Sequence, residues 1–267
     1  RQGILGQLII GSNSSGNGNG ASAGRASAKS PMLLIHGFTG TPVMWEPVRP
    51  YLELHHECEA INLPGHHGGP QFVEPTSGSI VDAFVDDVER QMDALGWQQA
   101  HIVGNSLGGW IALGLAGRGR AITTTAISPA AGWDMGSPEV DRAKRLFQML
   151  QFQLKYFKPA ALELAARPRG RMLAMRDAVA YPERLPGPLA VQWIEAAADT
   201  PCWRTLLKHA DSYNVENSVA SIDTPLRIAW GTKDRILPYR GYTPAHKRHF
   251  PHAEWITLEG LGHVPMS

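Results

Sequence analysis

An α/β fold built on a mostly parallel sheet, with helices on both faces, is predicted by three features of the chain. Short apolar runs recur and end at Gly or a turn residue, amphipathic helical patterns separate them, and one long stretch, residues 130–219, interrupts the alternation with helix-like sequence. At 267 residues, one such domain with an insertion has enough chain to bury its own core. Lys and Arg total 25 against 24 Asp and Glu, a formal charge of +1, so no long-range field of one sign draws the chain as a whole to nucleic acid or an anionic membrane. Cys58 and Cys202 stand alone, outside any CxxC or Cys/His spacing, which sets aside a disulfide framework and structural zinc.

The elements follow in order. From Gly11 to Ser30 every residue but Arg25 and Lys29 is Gly, Ser, Asn or Ala, so residues 1–30 are expected to form a flexible N-terminal segment. The apolar run Ile4–Ile10 is far shorter than the ~20 residues of a membrane span, so none is expected. Ala21-Ser22-Ala23 and Ala26-Ser27-Ala28 resemble secretory cleavage sites, but the polar interval is too long for a signal, and a cytoplasmic location is expected over export. Met32–Ile35 reads as a strand buried on both faces, and the same form recurs at Glu59–Asn62, His101–Val103, Ala121–Ser128, Leu226–Trp230 and Trp255–Leu258. Ile80, Phe84, Val88 and Met92 fall four apart with Val81 and Val85 beside them, a helix closed by Gly96.

Residues 31–129 and 220–267 thus form the expected core, and 130–219 an inserted helical cap punctuated by Pro159, Pro168, Pro182, Pro186 and Pro188. Within it, Arg142, Lys144 and Arg145 with Leu146, Phe147 and Leu150 suggest an amphipathic helix with a solvated face. Trp133, Met149, Phe152, Tyr156 and Trp193 are expected mainly to pack, the rest lining an apolar substrate pocket.

Gly104-Asn105-Ser106-Leu107-Gly108 follows a predicted strand and opens the helical run Trp110–Leu115, the context a nucleophile elbow requires. A free hydroxyl is a weak nucleophile, so Ser106 needs a base and a group to orient it. Asp234, after the fifth strand, and His263, after the sixth, supply both in the chain order Ser, Asp, His. His263 would take the Ser106 proton while Asp234 fixes its tautomer. The two oxyanion donors are assigned to the backbone N–H groups of Leu107 and of Phe38, in the loop His36-Gly37-Phe38-Thr39-Gly40. His36 is read as structural, and Phe38, Trp133 and Val264 as substrate-pocket candidates. The pairs His55-His56 and His66-His67 lack metal-ligand spacing, and neither metal nor cofactor is expected.

The His36-Gly37-Phe38 loop, the Ser106 elbow, Asp234 and His263, in that order, resemble the α/β-hydrolase superfamily over residues 31–266. Three departures accompany the resemblance. Asn62 stands where the family usually has an acid, a Gly/Ser segment replaces most of an N-terminal hairpin, and no helix follows the His263 loop before Ser267. A chain extended beyond Ser267 by a covering helix is expected to be more stable and faster. The resemblance implies a serine esterase acting on a small or medium apolar carboxylic ester, since similar epoxide hydrolases and dehalogenases carry an aspartate at the elbow. The alternatives are hydrolysis of a carbon–carbon bond in a dienoic ring-cleavage product, which the Gly-Asn-Ser elbow also resembles, and a non-catalytic ligand receptor on the same fold.

Overall fold

A computed structural model describes residues 29–75, 79–130, 138–209 and 222–267. Six strands, β1 (Ser30–Ile35), β2 (His56–Ile61), β3 (Ala100–Asn105), β4 (Ala121–Ile127), β5 (Leu226–Gly231) and β6 (Glu254–Leu258), form one sheet in the order β2-β1-β3-β4-β5-β6. All five pairings are parallel. The predicted apolar runs fall in these strands, since an inner parallel strand covered on both faces has no solvated side to mark with polar residues; the edge strand β2 begins three residues before the expected Glu59–Asn62, and the other edge strand, β6, exposes Glu254 and Thr257.

Side chains of β1 show the two-residue period directly. Leu33 and Ile35 enter one core with Phe84, Val85 and Ile111, while Met32 and Leu34 enter the opposite core with Trp45 and Leu52. The first core joins the sheet to α2 (Ile80–Ala94), α3 (Leu107–Gly117) and, through Tyr242, α8 (Tyr239–His249). The second takes in the short α1 (Arg49–Leu52) and the last buried residues of the chain, Val264 and Met266. In α2 the predicted stripe Ile80, Phe84, Val88 and Met92 is buried, Ser79 caps the first turn by accepting the Val81 N–H (3.2 Å), and Gly96 follows at φ +75°.

Between β4 and β5 come α4 (Pro138–Ala166), α5 (Pro168–Ala174), α6 (Gly187–Ala198) and α7 (Trp203–Lys208). Helix α4 breaks its geometry at Phe157 (φ −125°, ψ 21°), two residues before Pro159, as expected where a ring displaces the preceding turn. One expectation fails here. Trp193 is buried, but Met149, Phe152 and Tyr156 are 50%, 58% and 58% exposed and pack into neither core. Helical spacing places 149, 152 and 156 on the side of α4 opposite Val140, Ala143 and Leu154, which are buried, so the exposed side of the helix carries these large apolar residues along with Arg142 and Arg145, while Phe147 and Leu150 pack against the core. Trp133 lies outside the described residues.

Candidate active site

Strand order reverses between β1 and β3, since the chain moves from β1 outward to β2 and then returns to the other side of β1. The loops leaving β1 and β3 therefore diverge and open a crevice at the carboxyl end of the sheet. That crevice holds both the Phe38 loop and Ser106.

Ser106 sits between β3 and α3 at φ 56°, ψ −116°, a conformation that L-residues rarely hold. Main-chain bonds fix it: its N–H donates to Ile127 O (2.9 Å), and its carbonyl accepts from Trp110 N–H (3.1 Å) and Ala130 N–H (2.9 Å). The sharp turn brings β3 and α3 so close that a Cβ on Gly104 would overlap the Gly108 carbonyl, and one on Gly108 would overlap the carbonyl of Ile35. Leu107 opens α3, so by helix geometry its N–H has no intrahelical acceptor and is directed out of the helix end.

Facing it, Gly40 N–H closes a turn onto Gly37 O (3.0 Å), with Phe38 and Thr39 at its corners and Thr39 at φ +65°. Gly37 lies against the elbow; a Cβ there would stand 3.0 Å from Ser106 Cβ. His36 holds the loop from below: Nδ1–H donates to Gly37 O (2.8 Å) and Nε2 accepts the Leu63 N–H (3.1 Å). Asn62 lies 3.1 Å from the same Nε2 and gives its amide N–H to His67 O (2.9 Å).

Asp234 occupies the turn after β5. Its Oδ1 accepts the N–H groups of Ile236 (3.0 Å) and Leu237 (2.8 Å), which leaves Oδ2 for His263 Nδ1 at 2.8 Å. Trp230 Nε1–H braces the turn by donating to Leu237 O (2.9 Å). Both members of the pair are buried, so little solvent screening weakens the contact. A carboxylate oxygen can only accept, so in this contact Nδ1–H is the donor and Nε2 is the ring nitrogen that faces away from Asp234.

The His263 loop is anchored from two directions. Asn105 donates Nδ2–H to His263 O (2.9 Å) and to Ile127 O (3.1 Å), and Val264 N–H donates to Ala178 O (2.9 Å). Asn105 had no role assigned from sequence; only the fold shows that the residue preceding Ser106 reaches a carbonyl 158 positions away.

Ser106 and His263 open into one cavity of about 110 Å³ whose walls are almost wholly apolar, among them Phe38, Leu154, Met175, Trp193 and Val264. Across Phe38 and Phe147, whose ring centroids are 5.1 Å apart, lies a second apolar chamber of about 60 Å³ that also reaches Ser106. Phe38 and Val264 line this cavity, and α4 to α6 add further wall residues, among them Leu154 and Ile194, which the sequence did not single out.

Two buried histidines beside the site make the fold acid-sensitive. Burial pushes His36 down to about 4; burial, reinforced by His36 at 5.0 Å between ring centroids, pushes His66 down to about 3. An unfolded histidine titrates near 6.5, so between these values the unfolded chain binds more protons than the folded one. Stability is therefore complete above about pH 6.5 and falls as the pH drops toward 4, with His36 alone contributing a loss of about 2 kcal/mol by pH 5. Urea midpoints measured from pH 8 to pH 4.5 should decline below pH 6.5; a flat profile contradicts the neutral burial of these rings.

A family model described as "Alpha/beta hydrolase family" matches residues 32–267. An epoxide hydrolase of Mycobacterium tuberculosis is 33% identical over 195 residues, covering 68% of this chain and 86% of that protein. A pimeloyl-[acyl-carrier protein] methyl ester esterase of Neisseria meningitidis is 30% identical over 253 residues, covering 88% and 86%. Among solved structures, an enol-lactonase from Burkholderia xenovorans superposes with a TM-score of 0.66 at 19% identity, covering 90% of this chain and 87% of that one. A 2-hydroxy-6-oxo-6-phenylhexa-2,4-dienoate hydrolase from Rhodococcus gives 0.61 at 22%, covering 88% and 84%.

Proposed function

Because this chain belongs to the α/β hydrolase family and carries serine at its elbow, we propose that it is a serine hydrolase of small or medium apolar carboxylic esters. The observation that carries the reading is the 2.8 Å contact between Asp234 Oδ2 and His263 Nδ1, with His263 and a strained Ser106 opening on the same apolar cavity.

In this reaction Ser106 Oγ attacks the ester carbonyl as His263 Nε2 takes its proton, and the Phe38 and Leu107 N–H groups hold the oxyanion. Collapse expels the alcohol, which receives the proton from His263, and leaves an acyl-Ser106. Water then attacks the acyl carbon, gives its proton to His263, and the acid leaves as Ser106 recovers it. Residues 130–219 act as a cap, and the two chambers either side of Phe38 and Phe147 receive the acyl and alcohol arms.

The M. tuberculosis relative is named for epoxide hydrolysis, whereas similar epoxide hydrolases attack with an elbow aspartate where this chain has Ser106. Hydrolysis of a carbon–carbon bond in a dienoic ketone is the second reading, favoured by the Gly104-Asn105-Ser106 elbow. A panel of p-nitrophenyl esters of increasing acyl length, assayed beside a dienoic ketone and an aryl epoxide, decides among them. Ester turnover of the larger kcat/KM supports the proposal, and a preference for either other substrate overturns it.

A further inference from the structure

Among the described residues, seven of the twelve exposed large hydrophobic side chains lie on α4 and α5: Met149, Phe152, Tyr156, Phe157, Leu164, Met172 and Leu173. Scattered exposed hydrophobics are ordinary, but this concentration on one pair of helices is not. Met149, Phe157, Leu164 and Leu173 border one open apolar groove of about 480 Å³. Phe152 and Tyr156 stand beside them on the same helix, their ring centroids 4.8 Å apart.

Charge is segregated to the same helices. Residues 138–174, from α4 through α5, hold eight Lys and Arg against three acids, Glu139, Asp141 and Glu163, a surplus of five in a chain whose total is +1; of the eight, Arg171 is buried, Lys158 pairs with Asp199 and Arg167 with Glu163. Arg145, Lys155, Arg167 and Arg169 are exposed beside the apolar residues. The near-neutral balance of the whole sequence conceals this face.

The groove also adjoins the catalytic cavity. Phe147, Leu150, Leu154, Met175 and Ile194 line both, so one layer of side chains separates the surface groove from the chamber that opens on Ser106. A basic rim matches an anionic surface, and protruding Phe, Tyr, Met and Leu side chains match an apolar medium beneath it; this is the chemistry of a helix face lying in a lipid–water interface.

We propose that the α4–α5 face docks on anionic lipid surfaces, with Phe152, Tyr156 and Met172 entering the acyl layer and the basic rim meeting the headgroups, so that amphiphilic esters reach Ser106 through the adjoining groove. The delivery half rests on the esterase reading; the docking half does not.

The test is flotation of the full chain with vesicles of phosphatidylcholine alone and of phosphatidylcholine with phosphatidylglycerol in equal parts, using the wild type, the triple variant F152S/Y156S/M172S and the double variant R167E/R169E. The expected result is binding of the wild type to the mixed vesicles, weakened by added salt and by at least about tenfold in each variant. Hydrolysis of a soluble short-chain ester should stay within about twofold of wild type in both variants, because none of these five side chains lines the Ser106 cavity. Absence of wild-type binding, or binding unchanged in the triple variant, overturns the proposal. A dimer in light scattering that dissociates in the triple variant also overturns it, assigning the face to a second copy. Fluorophosphonate labelling of the same samples separates the two readings: vesicle binding without labelling refutes the esterase and leaves docking intact, and labelling without binding does the reverse.

Discussion

Ser106→Ala is expected to leave the fold and its melting temperature within a few degrees of wild type while hydrolysis falls by about 10⁵- to 10⁶-fold. Alanine keeps the Cβ and every main-chain bond that holds the elbow, those to Ile127, Trp110 and Ala130, and so inherits the strained backbone unchanged. The side chain is buried, but a hydroxyl contributes little packing, so its removal leaves no cavity of consequence. What disappears is the atom proposed to form the acyl-enzyme. Residual hydrolysis would come from the oxyanion donors and binding alone. Circular dichroism with steady-state kinetics checks both halves, and a variant that keeps even a tenth of wild-type turnover would place the nucleophile elsewhere.

Asp234→Asn is expected to lower kcat by about 10⁴-fold with little change in KM. The reason lies in the division of labour between the two carboxylate oxygens. Oδ1 is claimed by the Ile236 and Leu237 N–H groups, which an asparagine side chain satisfies only by turning its own oxygen toward them. Its NH₂ then faces His263 Nδ1 and donates to it, which forces the ring proton onto Nε2. A His263 protonated at Nε2 cannot accept the proton of Ser106, although substrate still binds in an unchanged cavity. Near-wild-type kcat would mean that another acid orients the imidazole, with Asp134, which lies outside the described residues, the first to be tested.

Ser106, Asp234 and His263 could be proposed from the sequence because each sits just past a strand, where an apolar run ending at a turn signals both the element and its exit. The six strands and α2 were legible for a related reason: periodicity is a local property, carried by residues two or four apart. Chain order alone proposed the triad, and the family match is to the same stretch of chain.

Other features depended on groups distant in sequence and left no local signal. The bond from Asn105 to His263 O joins residues that no spacing rule connects. The role of His36 became specific only when Gly37 O and Leu63 N–H were found on its two nitrogens. The exposed apolar face of α4 ran against expectation, because Met149, Phe152 and Tyr156 have the composition of a packed core and only solvent exposure in the folded chain distinguishes them from Trp193. What the sequence determined by itself was the order and type of the elements and the choice of side chains to propose as reactive, since strand, elbow and turn are each specified by neighbours along the chain. The tertiary structure decided which carboxylate oxygen meets the imidazole, which side chains wall the cavity and which hydrophobic surface stays in water, because those depend on how separate segments close on one another in space.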